Sequence, residues 1–410
     1  MPVVATTERP ARAPEYISIR STEFRAVIGA TLFIMLGFGL IVPALPQFAK
    51  ALGVGDAGVS VILFGFALTR LGGDFFVGSL IERLGERTIT VTGAAIVGVS
   101  SLAAGASRTY WQLVVLRGMG GVGSALFLGG LTAYLVGTVL PQERGRAMSL
   151  FQGSVGIGFL LGPVFGGVIM AAAAPNTPFY VYGAVCLAFV PLCLRAMRRV
   201  AATERAAEVV GRPSWRALKP LLANSAYRAA LGASAISFIV TAAPQTILPR
   251  YWTDTLHLSK ASSGIPFFVE AAAGMLVIWH AGALSDRRGR KFVLAPALGV
   301  GVVAAVGLGV FGGTVALIAF LALIGLANGY SRPGPTAIIA DVAAPHDRAV
   351  AVAGYRIAGD IGALIGPVLA GVLAQYVGYG AAWIGVAVCV AIVFVMTVGS
   401  VETMPLPEPA

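Results

Sequence analysis

The sequence predicts an all-α polytopic membrane protein whose twelve transmembrane helices form two pseudo-symmetric six-helix bundles. Three observations carry this prediction. Hydrophobic residues make up 57% of the 410 positions and charged residues only 11%, whereas soluble domains carry about 25% charge. Twelve apolar segments are long enough to cross a bilayer, which takes about 20 residues. A shift of 204 positions superimposes motifs of the second half on the first.

The apolar segments are separated by charged loops and by Gly/Pro breaks, and each has about the length of a membrane-spanning helix. In the first half we expect spans at about 26–49, 58–81, 88–106, 110–136, 147–173 and 178–194. In the second half we expect them at about 229–249, 262–284, 292–311, 314–340, 350–376 and 381–400.

The basic residues are distributed unevenly between the two predicted sides of the membrane. With a cytoplasmic N-terminus, 21 Lys and Arg residues lie on the inner side and four on the outer side, which is the positive-inside pattern. We therefore expect a multi-pass protein of the cell membrane with both termini in the cytoplasm. The expected domains are an N-terminal tail, a six-helix bundle, a cytoplasmic central loop, a second six-helix bundle and a C-terminal tail, at 1–25, 26–194, 195–228, 229–400 and 401–410.

Composition also excludes several functions. The net charge of +11 is carried largely by short loops between apolar spans, so we expect no nucleic-acid partner. The three cysteines lie in apolar runs and the three histidines are scattered, so we expect no disulfide framework, no metal and no cofactor. No nucleophile–base pair stands out, which argues against an enzyme. The polar N-terminus lacks the apolar run of a cleaved signal peptide.

The internal repeat is carried by two kinds of motif. In the loops, the shift of 204 positions maps Gly78, Glu82, Arg83, Gly85 and Arg87, in that order, onto Gly282, Asp286, Arg287, Gly289 and Lys291. In the spans, the same shift maps Gly158, Gly162, Pro163 and Gly167 onto Gly362, Gly366, Pro367 and Gly371. Repeated halves of this kind are typical of secondary transporters, whose substrate site lies between the halves near the midplane.

Two loop sequences give this pattern a family resemblance. The stretch GALSDRRGRK at 282–291 resembles the G-x-x-x-D-R-x-G-R-R/K signature of the major facilitator superfamily. GSLIERLGER at 78–87 resembles the same signature, with Glu82 in place of Asp and Glu86 in place of a basic residue.

Three span sequences extend the resemblance over most of the chain. LVVLRGMGGVG at 113–123 resembles the fourth-span motif of the family, an arginine followed by glycines. GFLLGPVFGG at 158–167 resembles the fifth-span motif G-x-x-x-G-P-x-x-G-G, which the family associates with antiporters, and GFGLIVPALPQF at 37–48 resembles the first span of its drug:proton antiporters.

The resemblance implies a twelve-span drug:proton antiporter that exports small amphipathic compounds by alternating access. Its partners would be a small-molecule substrate, protons and the lipid bilayer, and we expect a monomer. An importer or facilitator of a small metabolite on the same fold is the main alternative. A non-transporting membrane sensor or scaffold is a further alternative, although the chain offers no soluble segment longer than about 34 residues.

The two signature loops pair carboxylates and arginines with a glycine turn. The resemblance implies that they act as a latch for the outward-facing state, because such a carboxylate can dock at the positive N-terminus of a neighbouring helix. A role as topological anchors alone is the alternative. The latch candidates are Gly78, Glu82, Arg83, Gly85, Gly282, Asp286, Arg287, Gly289 and Arg290.

Charged residues within spans are costly in a bilayer, at about 3 kcal/mol each, and indicate function. Arg70 and Asp74 lie four residues apart on the second span, and Arg356 and Asp360 lie four apart on the eleventh. We predict a cross-bundle charge cluster in which Arg70 is level with Asp360. The alternative is that each arginine neutralises the carboxylate of its own helix.

Two further intramembrane charges lie nearer the predicted outer side. Arg117 is on the fourth span and Glu270 on the eighth. Because an apolar cavity favours the neutral form of a carboxyl group, Glu270 is the leading candidate for a proton carrier, with Arg117 approaching it and Asp74 as the second candidate. A static ion pair is the alternative. Asp341 and Arg332 are set aside because they lie towards the inner end of the tenth span.

The glycine–proline motifs of the fifth and eleventh spans are the last candidates. They comprise Gly158, Gly162, Pro163, Gly166 and Gly167, and Gly362, Gly366, Pro367 and Gly371. Glycines four residues apart leave one helix face free for close approach of a neighbouring backbone. We expect these faces to meet the opposite half as a rocking interface. The alternative is a packing groove with no part in transport.

Overall fold

A computed structural model describes residues 16–197, 215–344 and 347–404. Several expected features lie wholly or partly outside the described residues: the N-terminal tail (1–15), the central loop (198–214), the C-terminal tail (405–410), and Pro345 and His346. The described chain contains twelve helical segments long and apolar enough to cross a membrane, so the predicted number of spans is confirmed.

The first half consists of six long helices. They are α1 (Thr22–Ala51), α2 (Asp56–Leu84), α3 (Glu86–Gly105), α4 (Tyr110–Thr138), α5 (Arg144–Ala172) and α6 (Thr177–Ala196). Polar caps define several of the starts. For example, the Ser21 hydroxyl accepts a hydrogen bond from the Phe24 amide, and Thr109 forms a capping box with Gln112, which satisfies amides that the first turn leaves free.

The second half repeats this order. Its helices are α7 (Trp215–Ala223), α8 (Ser225–Arg250), α9 (Ile265–Arg288), α10 (Arg290–Val310), α11 (Thr314–Ser331), α12 (Pro333–Val342), α13 (Arg348–Tyr376) and α14 (Tyr379–Val398). The short helix α7 lies within the expected central loop. It buries Leu218 and Leu221 against the second half.

The tenth span is divided into α11 and α12 at Arg332. Pro333 and Pro335 have no amide hydrogen to donate to the preceding turn, and this absence interrupts the helix. The seventh span ends in a π-helical turn, Tyr251–Thr255. The sequence analysis anticipated neither irregularity, because both lie inside or beside apolar runs of ordinary length.

Each half has its own buried core. Phe24, Ile34 and Tyr134 belong to the core of the first half, while Tyr227 and Trp383 belong to that of the second. Within the halves α1 packs on α5 and α8 packs on α13; between the halves α2 packs on α13 and α5 on α9. These last two contacts are the lateral boundaries between the bundles.

The two ends of the helix array differ. At one end α1 passes into α2 through residues 52–55, and side chains of the two halves are joined there; we call this the closed end. At the other end α2 passes into α3 at Gly85; we call this the loop end. The sequence analysis predicts that the closed end is the outer side of the membrane and the loop end the inner side.

Candidate functional site

The four charged side chains predicted on the second and eleventh spans lie together at the boundary between the halves. Arg70 and Asp74 are on α2, and Arg356 and Asp360 are on α13, which packs against α2. The Asp360 carboxylate lies within electrostatic reach of Arg70 and Asp74 on α2 and of Arg356 on its own helix. The two halves therefore share one charge cluster. Its part in gating stays a prediction.

Glu270 on α9 lies beside a different arginine from the one expected. Among the described residues, the charged group that acts on the Glu270 carboxyl is Arg332, which was set aside as a candidate on the sequence alone. The close approach of α9 and α11 explains this placement, because a side chain on Gly325 of α11 would overlap the backbone oxygen of Glu270. The two prolines after Arg332 were the sequence signal for this site, since broken helices line transporter binding sites.

Arg117 lies inside the first half. In this structure it does not approach Glu270, contrary to the expectation from the sequence. Its guanidinium group stacks over the Phe66 ring at 4.7 Å from the centroid, and the residue is 3% exposed. Its Nε atom is buried and has no hydrogen-bond partner among the described residues. Because α4 packs against α2 and α3, Arg117 points into its own bundle.

The Phe66 ring that contacts Arg117 belongs to a cluster of four aromatic rings. The Phe38 ring lies 5.7 Å from Phe66, 5.5 Å from Phe159 and 6.3 Å from Tyr182, measured between centroids. Aromatic faces and edges at these spacings interact favourably with further rings and with cations. Phe38 and Phe159 are only half-buried. The sequence analysis named no aromatic residue here, because helical spacing alone does not separate cavity-facing from lipid-facing rings.

Two ion pairs join the halves at the closed end. Lys50 Nζ lies 2.7 Å from an Asp254 carboxylate oxygen, and Arg250 lies 2.9 Å from Asp56. Gln47 Nε2 also donates hydrogen bonds to the Pro249 carbonyl and the Thr253 hydroxyl. This cluster was not predicted from the sequence. A signal existed, since Lys50 and Asp254 are 204 positions apart and therefore occupy equivalent sites of the repeat.

At the closed end, the boundary between α2 and α13 is formed by polar side chains, and we call it the polar seam. The Ser60 hydroxyl donates to the Pro367 carbonyl at 2.7 Å, and the Gln375 carbonyl accepts from the Ala57 amide at 2.8 Å. The Tyr379 hydroxyl lies 3.3 Å from the Asp56 carboxylate. Asp56 thus contacts two different helices of the second half.

The boundary between α5 and the loop before α9 is formed by backbone, and we call it the backbone seam. A Cβ atom on Gly264 would overlap the carbonyl oxygen of Pro163. A Cβ atom on Gly167 would lie 2.7 Å from the Ala261 carbonyl oxygen. This seam therefore depends on the absence of side chains.

The glycine–proline motifs pack mainly within their own halves, which corrects the expected rocking interface. Gly158, Gly162 and Gly166 face α1, and Gly362 and Gly366 face α8. The last glycine of each motif is different. Gly167 meets the loop before α9, and Gly371 meets Ser60 and Asp56 of α2. The opposite half is reached by the proline carbonyl and the last glycine of each motif, because α1 and α8 cover the other glycines.

The signature loops turn at glycines with positive φ, 80° at Gly85 and 107° at Gly289, a conformation that glycine adopts most easily. In the second loop Asp286 pairs with Arg290, which also lies 3.2 Å from Asp341. Both partners belong to the same half. In the first loop Glu82 is exposed. The latch role predicted for these loops stays a prediction.

Two related six-span halves that are joined at one end and carry charged residues within their spans indicate a membrane transporter. The chain belongs to the Major Facilitator Superfamily, whose sequence model matches residues 27–322 and 302–409.

Two bacterial proteins are similar to parts of the sequence. Multidrug resistance protein 2 of Bacillus subtilis (strain 168) is 28% identical over 171 residues, 42% of either chain. Quinolone resistance protein NorA of Staphylococcus aureus (strain MRSA252) is 29% identical over 158 residues, 38% of this chain and 40% of NorA. The matched stretches thus span about two fifths of these relatives.

Solved structures match over nearly the whole chain. A bacterial homolog of the human lysosomal transporter Spinster, in an inward-facing and occupied conformation, superimposes with a TM-score of 0.77 at 13% identity, covering 92% of this chain and 95% of that one. A mutant of the nucleoside transporter NupG gives a TM-score of 0.76 at 13% identity, covering 92% and 99%. At this identity the likeness shows the fold.

Proposed function

We propose that this protein is a proton-coupled antiporter that exports small amphipathic compounds by alternating access. The observation that carries the proposal is a carboxyl group, Glu270, placed within a membrane span on α9, which packs closely on α11, the helix that ends just before Arg332. The two partial relatives are named for multidrug and quinolone resistance, which supports a drug-like cargo. The antiporter-type motif of α5 supports the direction.

Glu270 and Arg332 supply a coupling device. An ionised Glu270 is stabilised by the Arg332 charge, whereas a protonated Glu270 is stable in apolar surroundings without it. Proton binding therefore loosens the pair and proton release restores it. Because α9 carries Glu270 and the break between α11 and α12 carries Arg332, a change in their separation is a change in the packing of the second half.

The closed end and the charge cluster supply the alternation. In the conformation described here the ion pairs of the closed end join the halves, so cargo would enter from the loop end. Opening of the closed end requires that the pairs of Lys50 and Arg250 separate. The cluster of Arg70, Asp74, Arg356 and Asp360 lies where α2 and α13 must move relative to each other. We propose that this cluster rearranges at each transition.

Transport in proteoliposomes tests the coupling. With an imposed proton gradient, the wild-type protein is expected to drive a fluorescent amphipathic dye uphill, and an uncoupler is expected to abolish the gradient of dye. Glu270→Gln should bind dye but lose uphill transport. If Glu270→Gln still drives dye uphill, Glu270 is not the carrier, and Asp74→Asn is then the variant to measure.

A charge exchange tests the cluster. Arg70→Asp and Asp360→Arg should each abolish transport, and the double variant should restore it if the two side chains pair across the halves. The exchange of Arg356 and Asp360 within one helix is the matched control. Restoration by the control but not by the cross-helix exchange would favour local neutralisation.

The same assays separate the alternatives. Dye that equilibrates without a proton gradient would indicate a facilitator, and accumulation in the opposite direction an importer. We also propose that the protein is a monomer in the cell membrane with both termini in the cytoplasm. Protease protection of tags at the two termini tests the orientation.

A further inference from the structure

The C-terminal tail folds back onto the signature loop of the second half. The two carboxylate oxygens of Glu402 accept hydrogen bonds from the backbone amides of Arg290 and Lys291, each at 2.9 Å. These amides are the first two of α10, which begins at Arg290. A carboxylate at this position satisfies free amides and complements the positive end of the helix.

Further contacts fix the tail in this place. The Lys291 ammonium donates to the Ser400 carbonyl at 2.8 Å, and the Thr403 hydroxyl lies 3.2 Å from the Asp341 carboxylate. The Glu402 carboxylate also accepts hydrogen bonds from the amides of Thr403 and Met404. The tail thus contacts α10 and α12 and forms a compact turn of its own.

The turn glycine makes room for this arrangement. Gly289 has a φ of 107°, and a Cβ atom there would lie 2.6 Å from a Glu402 carboxylate oxygen. Glycine is therefore required at this position both by the backbone conformation and by the tail. Partial burial raises the pKa of the Glu402 carboxyl, but hydrogen bonds from the amides of Met404, Arg290 and Lys291 outweigh it and hold the pKa below its ordinary value.

The first half has an acidic residue at the equivalent helix start. The position equivalent to Arg290 is Glu86, the first residue of α3, which is 4% exposed and places an acidic group in the first turn itself. Other features are shared. Arg87, which is equivalent to Lys291, donates to the carbonyl of Leu194 near the end of α6. The two halves differ in whether the helix or the tail supplies the acid.

The acid supplied from the tail leaves the Arg290 side chain free for the signature loop. Arg290 pairs with Asp286 and with Asp341, and Asp341 in turn accepts from Thr403. The expected latch carboxylate Asp286 is thus held in its own half by an arginine whose backbone the tail caps. An Asp286 held in this way is not available to the opposite half.

We propose that residues Ser400–Met404 are a clamp on the α9–α10 loop that stabilises the conformation with a closed outer end. The effect on transport rests on the proposed alternating-access function, whereas the cap itself does not. Release of the clamp frees Asp286 and α10, and the protein then spends more time with its closed end open.

Hydrogen exchange of the full-length protein in nanodiscs tests both the cap formed by Glu402 and its effect on the closed end, and it needs no transport assay. In Glu402→Ala the amides of Arg290 and Lys291 should exchange about fivefold faster, the factor that corresponds to loss of a typical N-cap. Amides of residues 52–57 at the closed end should also exchange about fivefold faster, because the closed conformation is less populated. Glu402→Gln, which keeps one acceptor oxygen, should give a smaller change at both places.

A control in the first half makes the result specific. The amides of Glu86 and Arg87 in the first half should be unaffected by Glu402→Ala, since α3 has its own acid. Unchanged exchange at Arg290 and Lys291 would overturn the cap. Faster exchange there with unchanged exchange at 52–57 would overturn the clamp as a regulator.

The outcome is independent of the proposed function. If both regions respond to Glu402→Ala while dye transport proves insensitive to a proton gradient, the clamp stands and proton-coupled antiport fails. If transport is proton-coupled and neither region responds, the clamp fails and the proposed function stands.

Discussion

The closed end is joined along two seams that the sequence repeat makes equivalent, yet the two seams are built differently. The polar seam between α2 and α13 uses side-chain hydrogen bonds, and at its edge Arg250 of α8 adds a buried ion pair with Asp56. The backbone seam beside α5 uses the approach of glycines to carbonyl oxygens. Shifted by 204 positions, the polar residues Asp56, Ser60, Gln375 and Tyr379 correspond to Lys260, Gly264, Ala171 and Pro175.

The repeat therefore preserves the positions at which the two halves are in contact but not the type of contact that they make. Both seams meet the carbonyl of the proline in a glycine–proline motif, Pro367 in one and Pro163 in the other. A hydroxyl group satisfies the first carbonyl, and a bare glycine backbone packs on the second. Polar contacts break and reform with little change in shape, whereas backbone packing tolerates no added atom. We therefore expect the two seams to respond differently to substitution.

The largest effect is expected from Arg250→Gln in the polar seam. Asp56 would remain buried without its cation, and breaking one partner of a buried pair costs about 3 kcal/mol. The population in which the closed end has opened should rise about 100-fold. The measurement is the alkylation rate of a cysteine introduced at Val42, which packs against the core of the second half, by a thiol reagent that does not cross membranes.

The control for this variant lies in the equivalent position of the other seam. Lys260 corresponds to Asp56 and is exposed, so Lys260→Gln should leave the alkylation rate unchanged. Equal rates for the wild-type protein and Arg250→Gln would mean that the ion pair does not hold the end closed.

A somewhat smaller effect is expected from Gly264→Ala in the backbone seam. The added methyl group would overlap the Pro163 carbonyl oxygen, and overpacking of this kind costs about 2 kcal/mol. The same alkylation assay should show a rate about 30-fold higher. Gly72→Ala is the matched control, since a Cβ atom at Gly72 meets nothing within 4 Å in the described chain. Wild-type behaviour of Gly264→Ala would contradict the backbone seam.

Ser60→Ala should have a weaker effect in the polar seam. It removes one hydrogen bond to the Pro367 carbonyl, which is worth about 1 kcal/mol, so alkylation should become about fivefold faster. Ser154→Ala is the control, because the Ser154 hydroxyl bonds to Leu150 of its own helix. A change as large as that of Gly264→Ala would show that the seams do not differ as described.

The smallest effect concerns the turns that lead into the two seams. Gly53 has a φ of 79° and its equivalent, His257, a φ of 52°. Of these two residues only His257 has a side chain, and it makes this left-handed conformation less favourable by about 1 kcal/mol. His257→Gly should therefore raise the midpoint of thermal unfolding slightly, and Gly53→His should lower it. A lower midpoint for His257→Gly would mean that the imidazole makes contacts worth more than the strain.

The sequence predicted the spans well because membrane crossing is a local requirement. Twenty apolar residues form a helix in lipid whatever their neighbours, and charges mark where it ends. The charged positions on α2 and α13 could be placed at similar depths because the rise of a helix is constant. The glycine turns at Gly85 and Gly289 were equally readable, since few other residues adopt their backbone conformation.

The errors concern the direction in which side chains point. Arg117 and Glu270 have similar depths, but α4 turns Arg117 inwards onto Phe66, and α9 turns Glu270 towards Arg332. The glycine faces were expected to meet the opposite half and instead meet α1 and α8. Depth follows from counting residues, whereas rotation about the helix axis follows from the packing of neighbouring helices.

The sequence by itself determined that the chain has twelve spans in two related halves and carries costly charges within the membrane. Those features depend on composition, length and repetition, which every span carries in its own residues. Only the tertiary structure decided which charges meet, that Lys50 pairs with Asp254 across the repeat, and that Glu402 caps α10. Contacts between the halves join residues as many as 323 positions apart. Their geometry exists only once the two halves have packed together and the tail has returned to the loop.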